Sequence, residues 1–250
     1  MDKWTEGAGK KAVFFDLNGT LIDSKASFDS AFLTVFEDMT GRWAVDKADF
    51  CQSALDLFHK EQERLSGRSA KDKLNPAIIR FACLAKALEG LPFGKDQALI
   101  HRLDRTIRER QEQHPILYPG AKDILAELSS ERKLALISNG SRERLLRRVS
   151  HSGLDAFFPP HRIFTSMPGK RGKPHPEVFR QAMQALGVRP GESLMIGDSK
   201  IKDVAGALRV GMDVCWFRPE KENAAPVMQK KDQGWLLQAT TLQEVASLFR

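Results

Sequence analysis

The chain has few cysteines and no long hydrophobic run, and both absences narrow the classes of protein to which it can belong. Its three cysteines, Cys51, Cys83 and Cys215, lie far apart and form no CxxC pair. This favours reduced thiols over disulfides or a zinc site, and so a cytoplasmic location. The apolar runs are much shorter than the ~20 residues of a membrane-spanning helix, and the charged N-terminus lacks a secretory apolar segment. We therefore expect a cytoplasmic protein with no membrane partner.

The composition indicates a folded chain, and the net charge is compatible with an anionic partner without deciding its kind. Hydrophobic residues make up 42% and charged residues 28% of the 250 positions, which excludes collagen-like and disordered classes. The formal net charge is +7, and most of the excess lies outside residues 24–115. This excess of positive charge suits either nucleic acid or a small anion.

One predicted helix carries the arginines that bear on nucleic-acid binding. Its arginines are Arg142, Arg144, Arg147 and Arg148, and its apolar residues are Leu145, Leu146 and Val149. We interpret the apolar residues as the buried stripe and the arginines as the solvated side of the helix. We therefore expect no nucleic-acid partner.

The hydrophobic pattern divides the chain into one strand, a helical stretch and a strand–helix alternation. A compact apolar run predicts a first strand at Ala12–Asp16. From about Ser24 to Pro115 the apolar positions recur at helical spacing, which predicts about four helices. Beyond Gly120 strands and helices alternate. The further predicted strands are Leu134–Ser138, Ile163–Thr165, Ser193–Gly197 and Asp213–Phe217.

The position of the helical stretch predicts an interrupted domain. A lone N-terminal strand cannot bury itself, so it is expected to join the later strands in one sheet. We predict an α/β core formed by residues 1–22 and 117–250, with an all-helical domain at residues 23–116 inserted into it. The alternation after the insertion is typical of a doubly wound, Rossmann-like parallel sheet with helices on both faces.

Polar residues follow several predicted strands at the point where each strand ends. These residues are Asp16, Asn18 and Thr20, then Ser138, Asn139 and Gly140, then Asp198 and Ser199, and Lys173 lies on a loop that opens a helix. Ligands of open parallel sheets bind beyond the carboxyl ends of the strands, so these residues should converge. Carboxylates suit a hard cation, while lysine and backbone N–H groups bind anionic oxygens. The set therefore indicates Mg²⁺ and phosphate chemistry.

Four segments, in this order along the chain, resemble the motifs of the haloacid dehalogenase-like (HAD) hydrolase superfamily. They are Phe15–Leu21, Ile137–Gly140, Lys173–Pro176, and Gly197–Ser199 followed by Asp203. The helical insertion between the first two segments resembles the first type of cap domain in that superfamily. The resemblance extends over essentially the whole chain.

The resemblance implies a two-step phosphatase reaction. Asp16 would attack phosphorus and form an aspartyl phosphate, which water then hydrolyses. Asp16, Asp198 and the backbone carbonyl of Asn18 would hold Mg²⁺, while Ser138 and Lys173 would neutralise charge on the phosphoryl oxygens.

The resemblance also implies supporting roles for residues around this centre. Thr20, Asn139 and Gly140 would contribute to phosphate binding, and Ser24 and Lys25, where the chain enters the cap, would contact the substrate. Ser199 and Asp203 would lie behind the metal ligands, with Asp203 orienting Lys173 or metal-bound water. The expected partner is a small phosphorylated metabolite, over which the cap would close.

Asn18 departs from the superfamily pattern, which usually has a second aspartate at this position. That aspartate acts as general acid and then general base, and an amide can do neither. Such catalysis contributes roughly 10² to 10⁴ in rate. The metal role should survive because it uses a main-chain oxygen. We therefore expect a weakened phosphatase that favours acyl and aryl phosphates, whose leaving groups need no proton.

Two alternatives remain open at the level of sequence. A 2-haloacid dehalogenase-like hydrolase would use Asp16 against carbon without metal, and Ser138–Ser141 resembles the corresponding dehalogenase segment. Against this alternative, such dehalogenases usually have a tyrosine at the position of Asn18, and Gly197–Ser199 resembles the magnesium-binding loop of the phosphatases. The other alternative is a catalytically impaired protein that binds a phosphate ester for regulation, which only Asn18 supports.

Overall fold

The protein is described by a computed structural model covering residues 9–41, 47–68, 75–89, 91, 96–165, 172–221, 227–231 and 234–249. The chain divides into two compact units, residues 1–24 with 115–250 and residues 25–114. The helices are α1 (Ser24–Thr40), α2 (Lys47–Arg68), α3 (Pro76–Ala87), α4 (Gln97–Gln113), α5 (Ala121–Ser129), α6 (Arg142–His151), α7 (Pro176–Leu186), α8 (Ala205–Arg209) and α9 (Leu242–Ser247). A π-helical turn, Lys200–Val204, leads into α8.

The first unit is built on a seven-stranded sheet with β1 near its centre. The strands are β1 (Ala12–Phe15), β2 (Lys133–Ile137), β3 (Ile163–Phe164), β4 (Ser193–Gly197), β5 (Asp213–Phe217), β6 (Met228–Lys231) and β7 (Gly234–Ala239). Their order is β3-β2-β1-β4-β5-β7-β6. All neighbours are parallel except β6 and β7. Because β1 lies between β2 and β4, the carboxyl ends of three separate chain segments meet beside it.

Both faces of this sheet are covered by helices, as the alternation of side chains along β1 requires. Val13 and Phe15 are fully buried in a core with residues of α5, α6 and α9. Ala12 and Phe14 face the opposite side and pack in a second core with residues of α7 and α8. The predicted doubly wound α/β fold is therefore confirmed.

Two strands and a helix lie beyond the predicted end of the sheet. The sequence analysis placed no strand after Phe217, whereas β6 and β7 extend the sheet and α9 packs on it. All four residues of β6 are exposed, so it has no alternating apolar pattern by which a strand could be recognised.

The second unit consists, in its described part, of helices α1 to α4 around one core. Phe32, Phe36 and Phe58 are buried there, with the first two rings stacked 4.0 Å apart. The buried Asp104 of α4 pairs with Arg80 of α3, and its second oxygen lies 3.0 Å from the Arg108 guanidinium. This pairing supplies charge compensation for a carboxylate that would otherwise be buried alone.

The prediction that the four arginines of α6 lie on its solvated side was wrong for Arg148. Arg148 is only 4% exposed, because it lies three residues after the buried Leu145 and therefore falls on the buried stripe of α6. The Arg142 guanidinium donates hydrogen bonds to the Ile163 and Pro160 carbonyls at 2.8 and 2.6 Å.

The sequence predicted reduced cysteines and no membrane-spanning helix. Cys51, Cys83 and Cys215 are all buried with free thiols. Among the described residues, no helix has the length and apolar character needed to cross a bilayer.

Candidate active site

A polar pocket of about 240 Å³ lies at the carboxyl ends of the central strands. It is lined by Asp16, Asn18, Ser138, Asn139, Lys173, Asp198, Ser199, Lys202 and Asp203. Asp16 directly follows β1, and its backbone N–H donates to the Ile196 carbonyl of β4 at 2.9 Å. The pocket therefore brings together residues from all four segments singled out in the sequence.

Four of the predicted binding residues are not among the described residues that line this pocket. Thr20 is fully buried, and the Gly140 carbonyl accepts a hydrogen bond from the Thr165 hydroxyl at 2.5 Å. Ser24 begins α1. Lys25 belongs to the helical unit, where its ammonium lies 3.4 Å from Asp29. Their roles stay predictions.

Lys173 is a buried cation between two carboxylates. Its ammonium lies 2.6 Å from an oxygen of Asp16 and 2.6 Å from an oxygen of Asp203. Burial alone would lower the pKa of Lys173, but the charges and hydrogen bonds of the two aspartates raise it overall. The lysine is therefore held in its charged form, with its nitrogen adjacent to Asp16.

The donor set of three carboxylates fits a divalent cation. Asp16, Asp198 and Asp203 each offer an oxygen within 4.8 Å of the other two. Partial burial of its carboxyl group, together with the charges of Asp16 and Asp203, raises the pKa of Asp198 to about 6, although the residue as a whole is exposed. A hard cation takes carboxylate oxygens and would offset this mutual repulsion. The predicted ligands Asp16 and Asp198 are two of these three carboxylates, and the Asn18 carbonyl stays a predicted third ligand.

Gly19 allows the chain after β1 to pass close to Asp198. It adopts a positive φ of 87°, and a Cβ atom there would lie 2.6 Å from an Asp198 carboxylate oxygen. A side chain at this position would therefore meet both backbone strain and a direct clash.

The Asn139 side chain connects the end of β2 to the loop of Lys173. Its Nδ2 donates to the Lys173 carbonyl at 2.9 Å, and its Oδ1 accepts from the Lys173 backbone N–H at 2.8 Å. These two bonds fix the orientation of the amide, and the second N–H of Nδ2 is left for a further acceptor. The phosphate contact of Asn139 stays a prediction.

Asp203 connects Lys173 to the loop of Asp198. One carboxylate oxygen pairs with Lys173, and the other accepts the Ser199 backbone N–H at 2.9 Å. The Ser199 hydroxyl accepts from the Lys202 backbone N–H at 3.2 Å and so begins the π-helical turn.

Two residues near the pocket were missed in the sequence. Lys202 lines the pocket, and its position one residue before Asp203 was the available signal. The Trp216 indole N–H donates to the Asp198 carbonyl at 2.8 Å. No local sequence pattern marks that contact, because it joins β5 to the loop after β4.

Comparison with known proteins identifies the family. The sequence model of the haloacid dehalogenase-like hydrolase family matches residues 10–211. The chain belongs to this family. The HAD-like hydrolase expected from the four motifs is therefore confirmed, and the chain is a hydrolase with phosphatase relatives.

Three of its similar proteins span nearly the whole chain. The 5-amino-6-(5-phospho-D-ribitylamino)uracil phosphatase YigB of Escherichia coli is 34% identical, with 95% of each chain covered. The structure of the HAD-hydrolase YfnB of Bacillus subtilis bound to magnesium matches with a TM-score of 0.68 and 22% identity, covering 96% of this chain and 99% of that one. A 2-haloacid dehalogenase of Pseudomonas syringae matches with a TM-score of 0.53 and 21% identity, covering 96% and 97%. These two structures show a common fold.

Proposed function

We propose that this HAD-like hydrolase is a Mg²⁺-dependent phosphatase of a small phosphorylated metabolite, slowed by Asn18. The observation that carries the proposal is the placement of Asp16 and Asp198 within reach of one cation, with the Lys173 ammonium at Asp16. An anionic nucleophile can approach an anionic phosphate only where positive charge offsets their repulsion. When bound, Mg²⁺ would supply such charge and draw the phosphoryl oxygens toward Asp16.

The first step transfers the phosphoryl group to Asp16. A carboxylate oxygen of Asp16 forms a bond to phosphorus while the ester oxygen departs with the bonding electron pair. Lys173, bound to Asp16 and Asp203, keeps the nucleophile in one orientation and carries positive charge beside the developing oxyanions. The Ser138 hydroxyl, at the end of β2, lines the same pocket and can donate to a phosphoryl oxygen.

The second step returns Asp16 by attack of water on the aspartyl phosphate. This water must lose a proton, and the Asn18 amide cannot accept it. Both steps therefore lack general acid–base help at residue 18, which is worth roughly 10² to 10⁴ in rate, or about 3–5 kcal/mol of barrier. We expect the aspartyl phosphate to accumulate.

Whether the leaving group needs a proton then decides which substrates react quickly. Alkoxides need a proton as they depart, whereas carboxylates and phenolates do not. The site should therefore hydrolyse acyl and aryl phosphates and act slowly on simple sugar phosphates.

Phosphate-ester binding without turnover is the second candidate function, and the amide of Asn18 at the pocket wall favours it. Dehalogenation is disfavoured, because attack on carbon needs no metal ion, whereas this pocket gathers three carboxylates that suit a divalent cation.

The test is phosphate release from acetyl phosphate, nitrophenyl phosphate and glycerol phosphate by the parent, Asp16→Asn and Asn18→Asp. The parent should turn over the first two, Asp16→Asn should be inactive, and Asn18→Asp should raise glycerol phosphate turnover by roughly 10² or more. EDTA should abolish every activity. No gain in Asn18→Asp would contradict the role given to Asn18, and analogue binding without turnover would favour the binding function.

A further inference from the structure

The peptide group that joins Asp198 to Ser199 is held at both ends by side chains. Its carbonyl oxygen accepts the Trp216 indole N–H at 2.8 Å. Its N–H donates to the Asp203 carboxylate at 2.9 Å. The two side chains come from different elements, β5 and the π-helical turn.

This double attachment fixes the backbone next to the Asp198 carboxylate. A peptide group is planar, so bonds to its two ends restrain rotation of the whole plane. The plane sets the backbone dihedral ψ of Asp198 and thereby the direction in which its side chain leaves the backbone. Asp198 as a whole is exposed, so packing restrains it less than it restrains a core residue, and these hydrogen bonds add a restraint on its backbone.

Trp216 is itself held in place. It lies opposite Gly197 in the parallel register of β5 and β4, which brings the indole beside the loop that begins at Asp198. The Arg218 guanidinium carbon lies 4.4 Å and the Lys200 ammonium 5.7 Å from the indole ring centroid. Cations at these distances from an aromatic ring are attracted to its face. The donor is therefore preoriented rather than mobile.

We infer that Trp216 is a positioning residue that orients Asp198 for a divalent cation. The inference rests on the proposed function only for the identity of the cation as Mg²⁺. Orientation of a ligand by a group behind it strengthens metal binding, because the ligand need not be ordered when the metal arrives. A role of the ring in packing alone would not depend on its N–H.

The test removes the N–H and keeps an aromatic ring. Trp216→Phe should weaken Mg²⁺ binding roughly two- to tenfold, the range for one net hydrogen bond. Binding is measured by titration calorimetry on the full chain without substrate. The matched control is Trp235→Phe, which changes a half-buried tryptophan on β7 that packs on the core; its Mg²⁺ affinity should equal that of the parent.

A second variant tests whether the cation at the face of the Trp216 indole contributes to its orientation. Arg218→Met leaves the indole N–H in place and removes a cation from its face, so it should weaken Mg²⁺ binding less than Trp216→Phe. In activity assays, Trp216→Phe should raise the Mg²⁺ concentration for half-maximal rate, and saturating Mg²⁺ should restore kcat.

The outcomes separate this inference from the proposed function. Unchanged Mg²⁺ affinity in Trp216→Phe would overturn the inference, whatever Arg218→Met shows, as would an equal loss in Trp235→Phe. If Mg²⁺ affinity falls in Trp216→Phe and Arg218→Met but not in Trp235→Phe, and the parent releases no phosphate, the positioning role stands and the phosphatase proposal fails.

Discussion

The Asn139 side-chain amide is hydrogen-bonded at both ends to the backbone of Lys173. Asn139 follows β2, whereas Lys173 lies on the loop before α7, so the pair joins two segments that are far apart in sequence. The Lys173 backbone is thereby fixed where its side chain enters between Asp16 and Asp203. Asn139 is thus connected through the lysine to Asp16, the proposed nucleophile.

Replacing Asn139 should lower both stability and turnover. Asn139→Ala removes two hydrogen bonds, each worth about 0.5–1.5 kcal/mol, so the free energy of unfolding should fall by roughly 1–3 kcal/mol. If the loss of Lys173 positioning raises the activation barrier by a similar energy, kcat for nitrophenyl phosphate should fall roughly ten- to hundredfold. Urea denaturation and phosphate release measure the two effects. The control is Asn75→Ala, which removes the N-terminal cap of α3 and should cost stability without changing kcat; a parallel fall in its kcat would contradict the positioning role of Asn139.

A side chain at residue 19 should damage metal binding more than fold stability alone explains. Gly19→Ala combines a positive φ with a Cβ atom 2.6 Å from Asp198. Gly187→Ala has a similar φ of 62° but open space around its Cβ, so it carries only the backbone strain of roughly 1–2 kcal/mol. We expect both variants to melt at lower temperature and only Gly19→Ala to lose Mg²⁺ affinity in calorimetry. Equal affinities would show that Asp198 moves aside without consequence.

Asn18 should resist deamidation in the folded protein. An asparagine before glycine loses ammonia when the glycine backbone nitrogen attacks the side-chain amide carbon. Here the Gly19 N–H is hydrogen-bonded to the Ile22 carbonyl at 2.8 Å, which holds that nitrogen in the turn. Peptide mapping after long incubation should show slower conversion at Asn18 in the native chain than in the urea-unfolded chain. Equal rates would show that the turn does not protect Asn18.

The Tyr118 phenol should lose its proton at a higher pH than an ordinary tyrosine, and the free energy of unfolding should fall at high pH for this reason. Burial, with the charges of Asp23, Asp198 and Glu220, raises the pKa of Tyr118 to about 12. The unfolded chain releases this proton near pH 10 while the native chain keeps it, so stability falls as pH rises between these values. Because Tyr118 is the only tyrosine, phenolate absorbance reports it directly. Tyr118→Phe should remove this part of the alkaline loss in denaturation curves, and a native midpoint near 10 would disprove the shift.

The sheet was predictable where burial leaves a pattern. Apolar runs located five strands within one residue of their ends, because strands buried on both faces are apolar throughout. β6 was not found, since it is exposed along its whole length and lies at the sheet edge, where no burial pattern forms. β7 was also missed, and its buried and half-buried residues do not alternate regularly.

The convergence of the pocket residues was predictable from topology. Polar residues that end parallel strands meet at one edge of the sheet, and this brought Asp16, Ser138 and Asp198 together. The attachments of Asn139 to Lys173 and of Trp216 to Asp198 were not predictable. Each depends on side-chain orientation between segments that only the folded sheet brings into contact, and a linear pattern does not encode it.

The central position of β1 has a consequence for the growing polypeptide. Phe15 pairs with Leu136 on one side and Ile196 on the other, so the strand that leads to Asp16 leaves the ribosome long before either neighbour exists. Such distant pairings form slowly, and synthesis proceeds from the N-terminus. The proposed active site therefore cannot assemble in a nascent chain until β4 and the Asp198 that follows it have emerged, and we expect no hydrolase activity before that point.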